Sequence, residues 1–138
     1  MSEKKVPNDQ DRRMFKRILD SFFVTYRIQS PFEVRIRLGD KECDAIAQDI
    51  SEAGLGLLTN HGIPPSALVN LKFIIFNHAS LIDENRSRRF ELEGEVRYKT
   101  DSENNSYRLG VRFRSLSDAD RNFITDYVRA QTLNPDSN

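Results

Sequence analysis

The sequence has little of what most metal and catalytic sites need. Its 138 residues include one cysteine, two histidines and no tryptophan, and 21 basic and 21 acidic side chains give a net charge of zero. The lone Cys43 excludes an internal disulfide framework and a cysteine-based zinc cluster. The charge balance argues against nucleic acid and anionic membranes as partners, because both usually select a strongly basic surface.

Long apolar runs are also missing. No stretch approaches the roughly 18 consecutive apolar residues of a membrane span, and residues 1–10 contain no apolar signal core. We therefore expect a cytoplasmic protein without membrane insertion. The length suits one domain, which we place at 11–133 and which begins with a polar arm at 11–20. Residues 1–10 and 134–138 are predicted to be tails.

Catalytic motifs are equally scarce. The sequence contains no phosphate-binding glycine loop and no nucleophile-elbow serine motif. His61 and His78 lie near predicted turns, without cysteine or histidine at metal-ligand spacing. The alternating Glu91, Glu93 and Glu95 are typical of the solvent face of a strand. The sequence thus predicts a binding protein that is not an enzyme and that needs no cofactor or metal.

Alternation of apolar and polar residues dominates the middle of the chain, at 21–115, and predicts β-strands. The predicted strands are 22–28, 32–38, 42–49, 53–58, 71–75, 90–98 and 107–113. Short turns such as Gly39-Asp40 separate them. Half-buried strands joined by short turns indicate a mainly β protein, either an antiparallel barrel or a sandwich.

The period changes near the C-terminus. Ser117 to Asp120 resembles a helix capping box, with Asp in place of the usual Glu or Gln. Four apolar residues then share one helical face: Phe123, Ile124, Tyr127 and Val128. The pattern predicts an amphipathic helix within 117–131 that covers one end of the β structure.

One short motif involves arginine, which supplies 15 of the 21 basic residues. Arg13 and Arg17 form an R-x-x-x-R pattern in the polar arm, directly after Arg12. In so arginine-rich a chain this pattern is expected by chance, and Arg108 with Arg112 supplies a second example. The pattern therefore carries no weight by itself.

A second motif, D-x-S-x-x-G, runs from Asp49 through Ser51 to Gly54. From this composition only about 0.04 chance occurrences are expected. The motif lies where one predicted strand ends and the next begins. Its serine and glycine could therefore simply form a turn, and this alternative stays open.

The order of the two motifs resembles that of PilZ domains. Leu109-Gly110-Val111 in the last predicted strand and the capped helix agree, so the resemblance covers about 12–131. PilZ domains are six-stranded antiparallel β-barrels with a C-terminal helix, and many are bacterial receptors for cyclic di-GMP. The resemblance implies a stand-alone receptor that binds this ligand and relays the signal to an unidentified protein.

The resemblance also implies roles for individual residues. Arg13 and Arg17 would contact guanine and phosphate, since a guanidinium fork matches the O6 and N7 acceptors of guanine. Asp49 would accept hydrogen bonds from guanine N1 and N2. Ser51 would reach phosphate or ribose oxygens, and Gly54 would let the backbone approach the base.

Two further residues complete the predicted site. Tyr98 lies about where many PilZ domains place an aromatic residue against the ligand. Arg12 implies two ligand molecules per domain, because in this family an arginine at that place accompanies two ligands and an apolar residue one. A second dinucleotide brings two more phosphate charges, whose repulsion an added cation would offset.

The chain departs from the family in its spacing. Arg17 to Asp49 spans 32 residues, several more than expected, and Pro31 interrupts the interval. We expect an added hairpin or a longer strand pair to absorb the excess.

Two other functions stay open. The chain could be a PilZ-fold interaction module without ligand binding. It could also be a small barrel that binds single-stranded nucleic acid, which is salt-sensitive and tolerant of sequence. The arginines that would serve this last function are Arg35, Arg37, Arg86, Arg88 and Arg89.

Overall fold

A computed structural model describes residues 21–78, 80 and 86–133, with side chains up to residue 131. The predicted arm and both predicted tails lie outside these residues. The described part contains six strands and two helices. In chain order they are β1 Phe22–Ser30, α1 Phe32–Arg37, β2 Cys43–Ile50, β3 Gly54–Thr59, β4 Leu68–Phe76, β5 Ser87–Asp101, β6 Tyr107–Phe113 and α2 Asp118–Leu133.

The six strands form one closed barrel in the order β1-β2-β3-β6-β5-β4, and every neighbouring pair is antiparallel. Closure leaves no unpaired sheet edge. The six-stranded antiparallel barrel with a C-terminal helix is therefore confirmed. Among the described residues, no helix is long and apolar enough to cross a membrane.

Alternate residues of each strand point into the barrel and form its core. The most deeply buried include Val24, Tyr26, Leu57, Val69, Leu71, Ile75, Phe90, Val96 and Leu109. Burying each large apolar side chain contributes about 1.5–3 kcal/mol. The core also contains one polar pair, since the Tyr26 hydroxyl and Thr59 Oγ1 lie 2.7 Å apart and both side chains are buried.

Helix α2 closes one end of the barrel, as its apolar stripe predicts. Phe123 packs edge-on against Phe90 with ring centroids 5.9 Å apart, and Ile124 is fully buried. Ser117 caps the helix as predicted, because its Oγ accepts a hydrogen bond from the Asp120 amide at 3.0 Å, whereas the Asp120 carboxylate pairs with Arg88. An ion pair of 2.7 Å between Arg88 and Asp120 ties the first turn of the helix to β5.

The strand predicted at 32–38 is wrong, because this segment forms the short helix α1. The Pro31 carbonyl accepts hydrogen bonds from the amides of Val34 and Arg35, both at 3.1 Å, which starts the helix. Only Val34 of the helix is buried. Gly39, with φ 82°, then reverses the chain. The excess length before Asp49 is thus absorbed by a helix and not by the expected hairpin.

Tyr26 and Thr59 provide a test of this core. Burial raises the pKa of the Tyr26 phenol well above its usual value, so the hydroxyl keeps its proton. Tyr26→Phe should lower the free energy of unfolding by about 1–2 kcal/mol, since it removes a buried hydrogen bond without opening a large cavity. Urea denaturation measures the loss. Tyr107→Phe, at a half-buried tyrosine on β6, is the control. An equal loss of unfolding free energy in this variant would contradict the explanation.

Candidate ligand site

Four residues form a row across the outside of the barrel, on the neighbouring strands β2, β3, β6 and β5. Asp49 pairs with Gly56, Gly56 with Gly110, and Gly110 with Tyr98. Adjacent strands lie about 4.8 Å apart, so the row is about 14 Å long. Two predicted site residues, Asp49 and Tyr98, therefore stand at the ends of a strip whose middle has no side chains. We call Gly56 and Gly110 the glycine floor.

Two β-bulges turn the end residues of this row outward. Asp49 comes two residues after the buried Ala47, and Tyr98 two residues after the buried Val96. In a regular strand, residues two apart face the same side, so both would point into the core. The register shifts between Ala47 and Asp49 and between Val96 and Tyr98, which adds one residue and reverses the facing.

Tyr98 lies directly over the glycine floor. A Cβ atom on Gly110 would come within 2.0 Å of the Tyr98 ring, so only glycine allows this contact. The side chain stays 44% exposed. An aromatic ring held against backbone and open to solvent can stack on a planar ligand.

Asp49 forms an ion pair at the other end of the row. Its Oδ2 lies 2.5 Å from Arg108 Nη2, and Arg108 Nη1 donates to the side-chain oxygen of Gln48. The Asp49 side chain is 13% exposed and that of Arg108 29% exposed. A Cβ atom on Gly56 would lie 3.0 Å from both partners, so this glycine makes room for the pair.

Arg108 was not predicted as a site residue. The signal was present, because Arg108 and Arg112 lie on either side of Gly110 on β6 at alternate positions of the outer face. Their R-x-x-x-R spacing is no more than chance would give in this sequence. What could not be found from spacing is that Arg108 reaches across β3 to Asp49.

The D-x-S-x-x-G motif forms the tight turn between β2 and β3. The Ser51 amide donates to the Gly54 carbonyl at 2.8 Å, and Ser51 Oγ accepts from the Ala53 amide at 3.1 Å. The turn explanation of Ser51 and Gly54 therefore has a structural basis. A Cβ atom on Gly54 would lie 2.0 Å from the Val111 carbonyl oxygen, so β6 also requires glycine here. Ligand contacts of both residues stay a prediction.

The described chain begins near this row. Arg12, Arg13 and Arg17 lie outside the described residues. The described chain, however, enters β1 at Phe22, which pairs with Ala47, two residues before Asp49. Since an extended chain spans at most about 3.6 Å per residue, Arg17 is within about 18 Å of Phe22. The arm is therefore attached close enough for its arginines to reach the row.

No metal site is formed by the part of the chain that the structure describes, because no three histidine, cysteine or acidic side chains are grouped there. Cys43 is buried, and burial raises the pKa of its thiol. A buried thiol with a raised pKa is a poor nucleophile. The row instead combines acceptors, donors and a ring, which suits binding.

Comparisons with known proteins identify relatives of the chain in family and in fold. The chain matches the PilZ domain family model over residues 11–130. It resembles the Bacillus subtilis inhibitor of motility MotI/DgrA, with 15% identity, a TM-score of 0.59 and coverage of 86% of this chain and 53% of that one. The chain thus spans about half the length of the Bacillus protein. No curated protein matches the chain in sequence.

Two further solved structures are similar. The PilZ domain of YcgR from Escherichia coli, solved with cyclic di-GMP, shows 12% identity, a TM-score of 0.55 and 86% coverage of both chains. The PilZ domain of CeSA from a cellulose-synthesizing bacterium shows 10% identity, a TM-score of 0.47 and coverage of 82% of this chain and 94% of that one. At these identities the likeness to MotI/DgrA and YcgR concerns the fold.

Two glycine substitutions should show that a glycine packed against backbone tolerates a methyl group less well than one packed against a side chain. Gly54→Ala places a methyl group against the Val111 carbonyl, so β3 and β6 must separate and unfolding should become easier by about 2–3 kcal/mol. Gly110→Ala meets only the movable Tyr98 ring and should cost less than about 1 kcal/mol. Thermal and urea unfolding measure both. Equal losses would show that the two glycines are constrained alike.

Proposed function

Since the chain belongs to the PilZ domain family, we propose that it is a receptor domain for cyclic di-GMP that passes the signal to a protein partner. PilZ domains bind ligands and are not a catalytic family, and we propose no reaction for this chain. We expect it to act in the cytoplasm, in keeping with its one buried cysteine.

The observation that carries the proposal is the row from Asp49 across the glycine floor to Tyr98. A carboxylate at one end can accept from the N1 and N2 donors of guanine. Gly56 and Gly110 have no side chains, so a flat base could approach the backbone between the two ends once the side chains that cover these glycines, Arg108 and Tyr98, move aside. The exposed Tyr98 ring, at the other end, offers a surface on which a second base can stack. Ser51 lies two residues beyond Asp49, on the turn, where its hydroxyl is exposed.

The arginine arm supplies the remaining chemistry of the proposed site. A cyclic dinucleotide carries two phosphodiester charges, and Arg13 and Arg17 are proposed to contact phosphate and guanine. Charge-assisted hydrogen bonds of this kind contribute about 1.5–3 kcal/mol each. If binding orders the arm, each residue that becomes ordered would oppose binding by about 1 kcal/mol or more. The ligand must therefore contact both the arm and the row.

A specific observation keeps the interaction-module alternative open. Phe23, Ile74 and Phe76 are exposed on the neighbouring strands β1 and β4, and Phe23 pairs with the exposed Ile46. Exposed apolar patches are common where proteins contact each other. This surface is centred on β1 and β4, which carry none of the four residues of the row, so it is compatible with both a receptor and a module without ligand.

The nucleic-acid alternative has weaker support. Arg35 binds Asp40 at 2.8 Å, and Arg88 binds Asp120 at 2.7 Å. The Arg35 guanidinium also holds the pKa of Asp40 below its usual range. Arginines neutralised by neighbouring carboxylates attract phosphates less strongly. The proposed ligand is therefore a dinucleotide and not a long polyanion.

Isothermal titration calorimetry distinguishes the three functions. The protein is titrated with cyclic di-GMP and, separately, with a single-stranded oligothymidylate at two salt concentrations. Saturable heat with cyclic di-GMP alone supports the receptor. Salt-sensitive binding of the oligonucleotide alone would support the nucleic-acid alternative, and no heat with either would favour the interaction module.

Substitutions of the proposed contacts should weaken binding without unfolding the barrel. Asp49→Ala removes the acceptor and should lower affinity by about 10- to 100-fold, the equivalent of one charge-assisted hydrogen bond. Asp49→Asn keeps an acceptor oxygen and should lose less. Arg13→Ala and Arg17→Ala should each lose most of the affinity. Calorimetry measures these losses, and circular dichroism checks the fold. Unchanged affinity for both Asp49 variants would assign the motif to the turn alone.

Arg12 leads to a prediction of stoichiometry. We propose that two cyclic di-GMP molecules bind per domain, because a third arm guanidinium can offset the repulsion between their phosphates. The titration of the natural protein should then reach its plateau at two ligands per chain. Arg12→Leu should reduce the plateau to one. A plateau at one ligand for the natural protein would refute the two-ligand proposal while leaving the receptor intact.

A further inference from the structure

Arg108 occupies the part of the row that the proposed ligand needs. Its side chain starts on β6, where Arg108 pairs with Leu58, and crosses β3 to reach β2. There Nη2 lies 2.5 Å from Asp49 Oδ2, and Nη1 donates to Gln48. The guanidinium therefore lies over Gly56, on the glycine floor, at the end where Asp49 stands.

The donor pattern of a guanidinium resembles that of guanine. The Watson–Crick edge of guanine offers the N1 and N2 hydrogens as neighbouring donors, and an arginine fork offers hydrogens on neighbouring nitrogens. A carboxylate can pair with either group in a two-point contact. Asp49 is 13% exposed, so few of its acceptor positions face solvent. While Arg108 Nη2 holds Oδ2, Asp49 cannot give the guanine edge a full two-point contact.

We propose that Arg108 is an internal competitor of the ligand, whose guanidinium holds Asp49 until the guanine edge replaces it. This inference rests on the proposed function. It makes Arg108 a residue that sets affinity, because ligand binds only to the fraction of molecules in which Asp49 has been released. The apparent dissociation constant rises as that fraction falls.

Two features favour the closed arrangement. The pair is largely shielded from solvent, and such pairs are screened less by salt than exposed ones. Gln48 supplies a second acceptor, which fixes the guanidinium over Gly56. The contacts of Arg108 with Asp49 and with Gln48 must both be broken when its guanidinium leaves β2.

The test compares Arg108→Met with Arg112→Met. Methionine keeps an unbranched side chain but removes the donors. Arg112 lies on the same strand and the same outer face, and it pairs with Glu95 at 3.9 Å. Removing the competitor should strengthen cyclic di-GMP binding by about 5- to 20-fold and speed association, whereas Arg112→Met should not strengthen it. Calorimetry and stopped-flow fluorescence with a labelled ligand measure both quantities. Unchanged or weaker binding by Arg108→Met would overturn the proposal.

A second comparison tests whether the effect passes through Asp49. Asp49→Asn removes the charge that holds Arg108, so adding Arg108→Met to this variant should improve affinity by less than about twofold. A gain as large as in the natural background would overturn the proposal, since Arg108 would then act elsewhere. Urea unfolding of each variant shows separately how much the pair contributes to stability.

The outcomes also separate this inference from the proposed function. If the natural protein binds cyclic di-GMP and Arg108→Met binds it less well, the receptor stands and the competitor is wrong. If no variant binds cyclic di-GMP, the receptor and the competitor are both wrong. If only Arg108→Met binds cyclic di-GMP measurably, the receptor and the competitor are both supported. Arg108 then holds Asp49 in nearly all molecules of the natural protein.

Discussion

Two β-bulges determine which side chains this barrel presents to solvent. Without them, Asp49 would follow Ala47 into the core, and Tyr98 would follow Val96. An uncompensated carboxylate in an apolar interior costs several kcal/mol, and a tyrosine there would overfill the space. Each bulge resolves the conflict by one added residue. Both bulges lie in one cross-strand row, so the same distortion that protects the core brings a carboxylate and a ring onto one surface.

The glycines of β3 and β6 follow from that arrangement. Gly56 and Gly110 lie between the two outward side chains, and each has its space filled by one of them. Gly54 meets the backbone of β6 instead. Glycine in a strand weakens it by the loss of side-chain packing and by chain entropy. Closure of the barrel and packing of the apolar core beneath offset this loss of stability. Strands β3 and β6 can therefore have glycines on their outer face.

Sequence periodicity could predict the barrel and its closing helix, but not the details that create the site. The apolar alternation of the strands and the helical spacing of α2 each extend over enough residues to be visible in the sequence. Segment 32–38 alternates as a strand does, yet it forms a six-residue helix. The Pro31 carbonyl accepts the first helical hydrogen bonds, and the chain reverses at Gly39. A bulge adds one residue without a required residue type, so alternation along 90–98 does not show that Tyr98 points outward. Asp49 was found through its motif, whereas Arg108 depends on contact between distant strands.

Under the proposed function, the pairing of Asp49 with Arg108 explains why an acceptor for a ligand also needs a partner within the protein. A carboxylate with 13% exposure has lost much of its hydration, and leaving it unpaired would destabilise the barrel. An internal donor that satisfies it must resemble the proposed ligand in its hydrogen bonding, because both would meet the same carboxylate. Stability without ligand and affinity for ligand are therefore opposed at this position. Removing Arg108 would make Asp49 more available to the ligand but would leave a less stable fold. The strength of the pair between Asp49 and Arg108 therefore sets the balance between stability and affinity.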